Sequence, residues 1–305
     1  MKSRIIVFIL SLEFIFWVNL SHIFAESQEG LEWEPLSAGP VTTWTAPVCS
    51  SGEFVVQPFL FYTRTRGVFN GRGHYDSLPG GDKRIQYQEQ LFMQYGLLER
   101  LEISSLLVYQ QNYVKEGGLK AHARGLGDSY LFLRYCALEE SDLYPHITGV
   151  FQLKIPTGKY QHLDLAKLGA DSMGSGTYDH GYGVILSKKF KPLVLHFDLI
   201  YSFPVERKID GIKTQYAGYL NYDFGVEYFL PKRFNLLLEL NGYAQGDQEE
   251  NGVKIPSSDS QSLAIAAGVG WSNEKIQTLL VYQRTLTGTN SDANDSAVLT
   301  LVYGF

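Results

Sequence analysis

Eight ionisable side chains fall on the polar positions of segments in which apolar residues take every other place: Glu102, Arg134, Lys154, His196, Asp198, Asp223, Glu227 and Glu239. Acids and bases facing one another across a narrow interior can do one of two things. They set a charge filter for a passing solute, or they pair with each other and fill the space between them. The alternation itself leaves both open. Nucleophilic chemistry is poorly supplied. The seven histidines are scattered, and no Ser–His pair on an apolar, outward face has a third group to orient it, as a triad requires. Asp171, Asp179 and His180 lie close in sequence but lack metal-ligand spacing, and Asp247, Glu249 and Glu250 read as solvated loop acids. Gly80-Gly81-Asp82-Lys83 and Gly174-Ser175-Gly176 precede no helical pattern, so they read as turns and not as phosphate cradles. The chain therefore reads as a protein that is not an enzyme and needs no metal or cofactor.

The elements that carry these residues have period two. About twelve strand-like runs follow residue 53, at 54–63, 85–95, 100–113, 127–137, 145–156, 177–187, 192–203, 217–229, 234–244, 260–271, 275–286 and 296–305. Each is near the ~9–11 residues of a tilted membrane strand. In the seventh, Leu193, Leu195, Phe197, Leu199, Tyr201 and Phe203 share one face and His196, Asp198 and Ser202, with Val194 and Ile200, the other; the eleventh is ambiguous and declares no outward face. Connections alternate from long to short along the chain, with 287–295 read as the last long one. Short periplasmic turns and long extracellular loops are the plan of a transmembrane β-barrel, whereas a soluble sandwich has no reason to alternate so. Composition agrees: aromatics reach 14% and charged residues only 19%, with 30 glycines for turns. The net charge of −6 excludes a nucleic-acid binder built on a basic patch.

The amino terminus has Lys2 and Arg4, an apolar run over 5–20 broken by Ser11, Glu13 and Asn19, and a small residue at Ala25 before Glu26. This predicts a secretory signal peptide over 1–25, cut after Ala25. Residues 26–53 carry Trp33, Pro35, Pro40, Trp44 and Pro47 without a period; they read as a periplasmic leader or a partial plug in the barrel mouth, ahead of a barrel over 54–305. Cys49 and Cys136 fall on the same side of an oxidising compartment, where a disulfide could staple the leader; it needs Cα atoms within about 7 Å. In lipid an open sheet edge is costly, so the strands must close into a ring, the last against the first.

Several stretches in order carry a family likeness: Gly125-Leu126-Gly127-Asp128-Ser129-Tyr130 with Arg134-Tyr135, Leu153-Lys154-Ile155-Pro156-Thr157-Gly158, Gly174-Ser175-Gly176-Thr177-Tyr178-Asp179-His180-Gly181-Tyr182-Gly183, Ser187-Lys188 and Tyr201-Ser202-Phe203. Over most of 54–305 the chain resembles the outer-membrane family named for the meta-pathway of phenol degradation. The resemblance implies a transporter in the bacterial outer membrane and supplies no catalytic residues. A terminal Phe305 with Tyr303 two residues earlier also resembles the address by which the barrel-assembly machinery takes up outer-membrane chains. The expectation is an all-β, closed antiparallel barrel of about twelve strands in outer-membrane lipid, passing a small-molecule solute, hydrophobic or aromatic compounds among them. The alternatives are a sealed barrel whose extracellular loops bind a partner and, third, a phospholipase-type enzyme.

Overall fold

The computed structural model describes Trp33, Pro35, Ser37 and residues 39–304. The expected signal peptide and Phe305 lie outside the described residues. Two units divide the chain, residues 1–35 and 36–305, and the barrel belongs to the second.

Twelve strands build it: β1 Phe54–Phe69, β2 Lys83–Leu98, β3 Leu101–Glu116, β4 Ser129–Leu138, β5 His146–Ile155, β6 Asp179–Phe190, β7 Leu193–Pro204, β8 Tyr219–Phe229, β9 Phe234–Gln245, β10 Ser260–Ser272, β11 Ile276–Thr289 and β12 Ser291–Gly304. Each pairs antiparallel with its sequence neighbours. β12 then returns to β1, in register from Val55↔Gly304 to Phe69↔Ser291. The ring has no free edge, so its wall presents no open row of backbone donors to lipid.

Period-two alternation decides which way each side chain goes. On β7, Val194, His196, Asp198, Ile200 and Ser202 are buried inside, while Tyr201 and Phe203 remain exposed outside. β11 resolves the same way: Leu279 and Val281 are buried inward, and Leu280, Tyr282 and Leu286 are exposed. Its inner face is apolar because it packs in a core with Val41, Phe59, Leu237, Ala266 and Val298. Val41 comes from the segment before the barrel.

Four of the expected connections differ. Residues 287–295 are not a loop: β11 and β12 run on until only Asn290 separates them. Beyond Arg284↔Asp295 the two strands part, Thr287–Thr289 pairing with β10 and Ser291–Ala293 with β1. Polar residues in water can keep pairing after the apolar alternation ends, which is why the pattern understated these strands. In the β3–β4 connection, Leu119–Leu126 folds back on β3 as a strand. Four short strands from the β7–β8 and β9–β10 connections, Arg207–Ile209, Ile212–Gln215, Glu249–Glu250 and Val253–Lys254, form a separate small sheet.

Candidate functional site

All eight expected residues point into the barrel, and Ser37 with residues 39–50 occupies its turn end. Seven of the eight are buried; Asp223 is half-buried. Glu239 binds the leader most densely. Its two oxygens accept from the backbone N–H groups of Val41 at 3.1 Å, Thr42 at 2.9 Å and Thr43 at 2.8 Å, and from the hydroxyls of Thr42 and Thr43. Opposite Glu239 on β8 is Gly225, where a Cβ would come to 3.0 Å from Pro40 and 3.1 Å from the Thr43 hydroxyl. A side chain there would lift the leader off the wall.

Arg134 holds the descending arm. It pairs with Glu102 at 2.9 Å, donates to the carbonyls of Thr45 and Pro47, and lies 5.3 Å from the Trp44 ring. Glu102 in turn accepts from Cys49 N–H at 2.9 Å and from Ser104 at 2.6 Å. A buried ion pair survives only when its remaining valences are met, and here the leader's backbone meets them. Asp198 accepts from Trp44 N–H at 2.8 Å and faces Asp223 across the β7–β8 register. Asp223 accepts from Asn241 at 3.1 Å, and Asn241 also reaches the Thr42 hydroxyl at 2.7 Å.

His196 sits in a buried chain. Its Nδ1 is 2.8 Å from the Ser187 hydroxyl and its Nε2 is 3.1 Å from Glu227. Ser187 also receives Ala46 N–H at 2.8 Å, and Glu227 receives Ser37 at 2.6 Å and Asn235 at 2.5 Å. Lys154 lies nearer the loop end, bonded to Asp179, to Ser175 at 2.6 Å and to Thr177. Asp179 also accepts from Tyr219 at 3.0 Å.

Cys49 and Cys136 are both buried free thiols and form no disulfide. Each is turned to another partner: Cys49 lies over Glu102 through its backbone N–H, and Cys136 Sγ is 3.2 Å from His146 Nε2.

Above Trp44 the interior opens into a cavity of about 700 Å³. Trp44 and Phe132 form its floor, their ring centroids 4.8 Å apart. Its wall carries Tyr130, Tyr219 and Tyr243 among Gln88, Gln90, Gln110, Gln152, Asn221 and Gln245. The β5–β6 connection folds in beside it. Asp128 takes Gly158 N–H at 3.2 Å, and Ser175 N–H at 2.8 Å with its hydroxyl at 2.9 Å; Gln110 donates to Met173 O at 2.8 Å. The residues around Asp128, Gly158 and Ser175 are thus a clasp that bends a long loop into the mouth.

Sequence reasoning missed Asp179, Ser187 and the acceptor role of Asp128. Asp179 was legible as the acid at the inner end of the 174–183 motif, opposite Lys154. Ser187 carried no signal of its own, since its partners come from two other segments.

A closed, all-β ring with alternating outward apolar residues defines an outer-membrane β-barrel, and the bacterial outer membrane is where this protein resides. The sequence matches the family described as "Putative MetA-pathway of phenol degradation" over residues 83–300, well over half of its length, and the chain belongs to that family. No curated protein matches it. Among solved structures it is similar to the COG4313 outer membrane channel from Pseudomonas putida F1, at 15% identity and a TM-score of 0.70, covering 90% of this chain and 100% of that one. At that identity the likeness concerns the fold. The NanC porin has 12% identity and a TM-score of 0.48, covering 81% of this chain and 98% of that one. The short connections are then periplasmic and the long ones extracellular.

Proposed function

We propose that the protein is a channel for small molecules, that uncharged aromatic compounds are its favoured solutes, and that residues 37–50 are its internal plug. The cavity above Trp44 carries this reading. Its volume of about 700 Å³ suits a small organic ligand. Its wall offers ring faces for stacking and amides for hydrogen bonding. Lys154, the cation in the wall, is already neutralised by Asp179. Membership of a family named for phenol degradation fits an aromatic solute, though the name does not make phenol the solute of this chain.

The plug is held by hydrogen bonds and by the apolar contacts of Val41, Trp44 and Ala46. Water can replace such bonds at modest net cost, about 0.5–1.5 kcal/mol for a neutral pair and 1.5–3 for a charged one. A segment anchored in this way can leave the lumen and return. We read the Ser187–His196–Glu227 chain as structural and not catalytic. All three side chains are buried, and Ser187 is engaged by Ala46.

A second reading, a sealed barrel whose extracellular loops bind a partner, draws on the same lumen, because its charges are met by one another and by the leader. Planar-bilayer conductance and liposome swelling with uncharged aromatics separate the two. Glu239→Ala loses the acceptor of five leader donors and is expected to raise conductance several-fold over the wild type. Folded wild type and variant that both pass no solute would defeat the channel reading.

A further inference from the structure

The outer wall of the barrel carries a block of unmatched positive charge. Register sets Lys83 on β2 opposite Lys115 on β3, and Lys115 opposite Lys120 on the returning strand Leu119–Leu126. Two residues along the same face, Arg64 on β1 stands opposite Ile85, in line with Tyr113 and His122. Two further on, Tyr87, Gln111 and Arg124 are in line. This is the outward face. Val114 and Ala121, on the other face of the same strands, are buried against Ala170, whereas Tyr87 and Tyr113 are exposed. Arg64, Lys83, Lys120 and Arg124 are exposed and Lys115 is half-buried.

Like charges directly opposite across a sheet destabilise it. Among the described residues, none of Arg64, Lys83, Lys115, Lys120 and Arg124 has an acidic partner. Among nearby acids, Asp295 is taken by Arg66 at 3.0 Å and Arg284 at 3.6 Å, Glu116 by Arg84 at 3.8 Å, and Asp82 accepts from Gly117 N–H at 3.0 Å; Glu89 lies below the block, past Tyr87. Three other extracellular lysines are matched, Lys159 by Asp171, Lys213 by Glu206 and Lys254 by Asp247. The block also has a defined depth. Tyr62 and Tyr87, with ring centroids 5.4 Å apart, belong to the aromatic belt that marks the lipid interface. Lys83 is four residues further out on the same strand, roughly 13 Å along it and less along the membrane normal once the strand tilts. That is headgroup depth.

We propose that this face binds the phosphorylated headgroup of a glycolipid in the outer leaflet. Four adjacent strands at about 4.8 Å spacing spread the cations over roughly 15 Å, wide enough to engage more than one phosphate. The lysines act as point donors, and Arg64 and Arg124 offer forked, two-bond contacts to phosphate oxygens. Bound phosphate removes the repulsion along the lysine row, and the tyrosines below pack against the acyl chains.

The test uses the full-length protein in zwitterionic, phosphate-free detergent. Bisphosphorylated lipid A and the same lipid stripped of its phosphates are titrated in, with binding read by native mass spectrometry. The wild type is expected to hold the phosphorylated lipid at least tenfold more tightly, and Lys83→Gln/Lys115→Gln/Lys120→Gln to lose that preference. Without lipid the triple variant is expected to melt at or above the wild-type temperature, since only repulsive contacts are removed. Lys213→Gln/Lys254→Gln, which removes matched cations, is expected to bind as the wild type does. Equal retention of both lipids, or a triple variant that keeps the preference, overturns the proposal. So does a thermal shift with inorganic phosphate equal to that with the phosphorylated lipid.

Discussion

The two halves of the lumen use polar residues in opposite ways. In the periplasmic half Glu102, Arg134, His196, Glu227 and Glu239 are ionisable, buried and committed to the leader or to each other. In the extracellular half the polar wall is mostly amide and phenol, around open volume. Charges serve where a backbone segment must be held, because a carboxylate can gather several N–H donors at once, as Glu239 does. Neutral groups serve where the wall must release what it touches. A charge without a fixed partner in that space would either bind a counter-ion or pay desolvation.

Deleting residues 37–50 should break the contrast most completely. The periplasmic half would be left with water and unpaired charges, while the extracellular cavity loses only its Trp44 floor. Expected are a large rise in conductance and retention of the heat-modifiable, folded barrel on a gel; loss of the folded band would show that the leader supports the wall. Arg134→Met should come next. It strands Glu102 in a buried position at a cost of about 3–5 kcal/mol, whereas Arg134→Met with Glu102→Leu should cost less than the single change. Thermal melts of the two variants check this order, and a double variant worse than the single one would mean that the leader contacts outweigh the ion pair. The smallest effect concerns the extracellular half. Burial alone would raise Asp171, but the Lys159 ammonium at 2.5 Å and the Asp164 N–H hold it below the ordinary carboxylate value. A depressed carboxylate stabilises above its unfolded pKa and loses that contribution as pH falls through the folded one. Hydrogen-exchange protection at 168–173, corrected for the intrinsic pH dependence of exchange, should therefore fall as pH drops below the usual aspartate range, with no such change at 41–46.

Much of this contrast was readable before the structure. Lipid demands an apolar residue at every second position, so Leu193 to Phe203 declared the outer face of β7, and His196 and Asp198 fell inward by elimination. The same logic failed on β11, where Leu279 and Val281 are apolar on the inside because Val41 covers them. The leader's path left no periodic trace. Its partners lie as far as 240 residues away in sequence, as between Ser37 and Gln277, and a single hydrogen bond imposes no pattern on either segment. Strand ends were understated for a related reason: beyond the lipid, pairing continues without apolar alternation, as at Asn290.

Ser37 and Gly52, at either end of the described leader segment, lie at the same mouth. Ser37 touches Glu227 and Gln277 at the periplasmic ends of β8 and β11, and Gly52 bonds Gly96 at the periplasmic end of β2. Thr42 to Trp44 form the bend between them. The leader is therefore a doubled-back finger and not a cord drawn through a ring. A cord could be removed only by pulling a free end the full height of the barrel or by breaking the β1–β12 seam. A finger can be withdrawn sideways from one opening with every wall hydrogen bond intact, so the chain's geometry leaves the ring and its contents topologically independent.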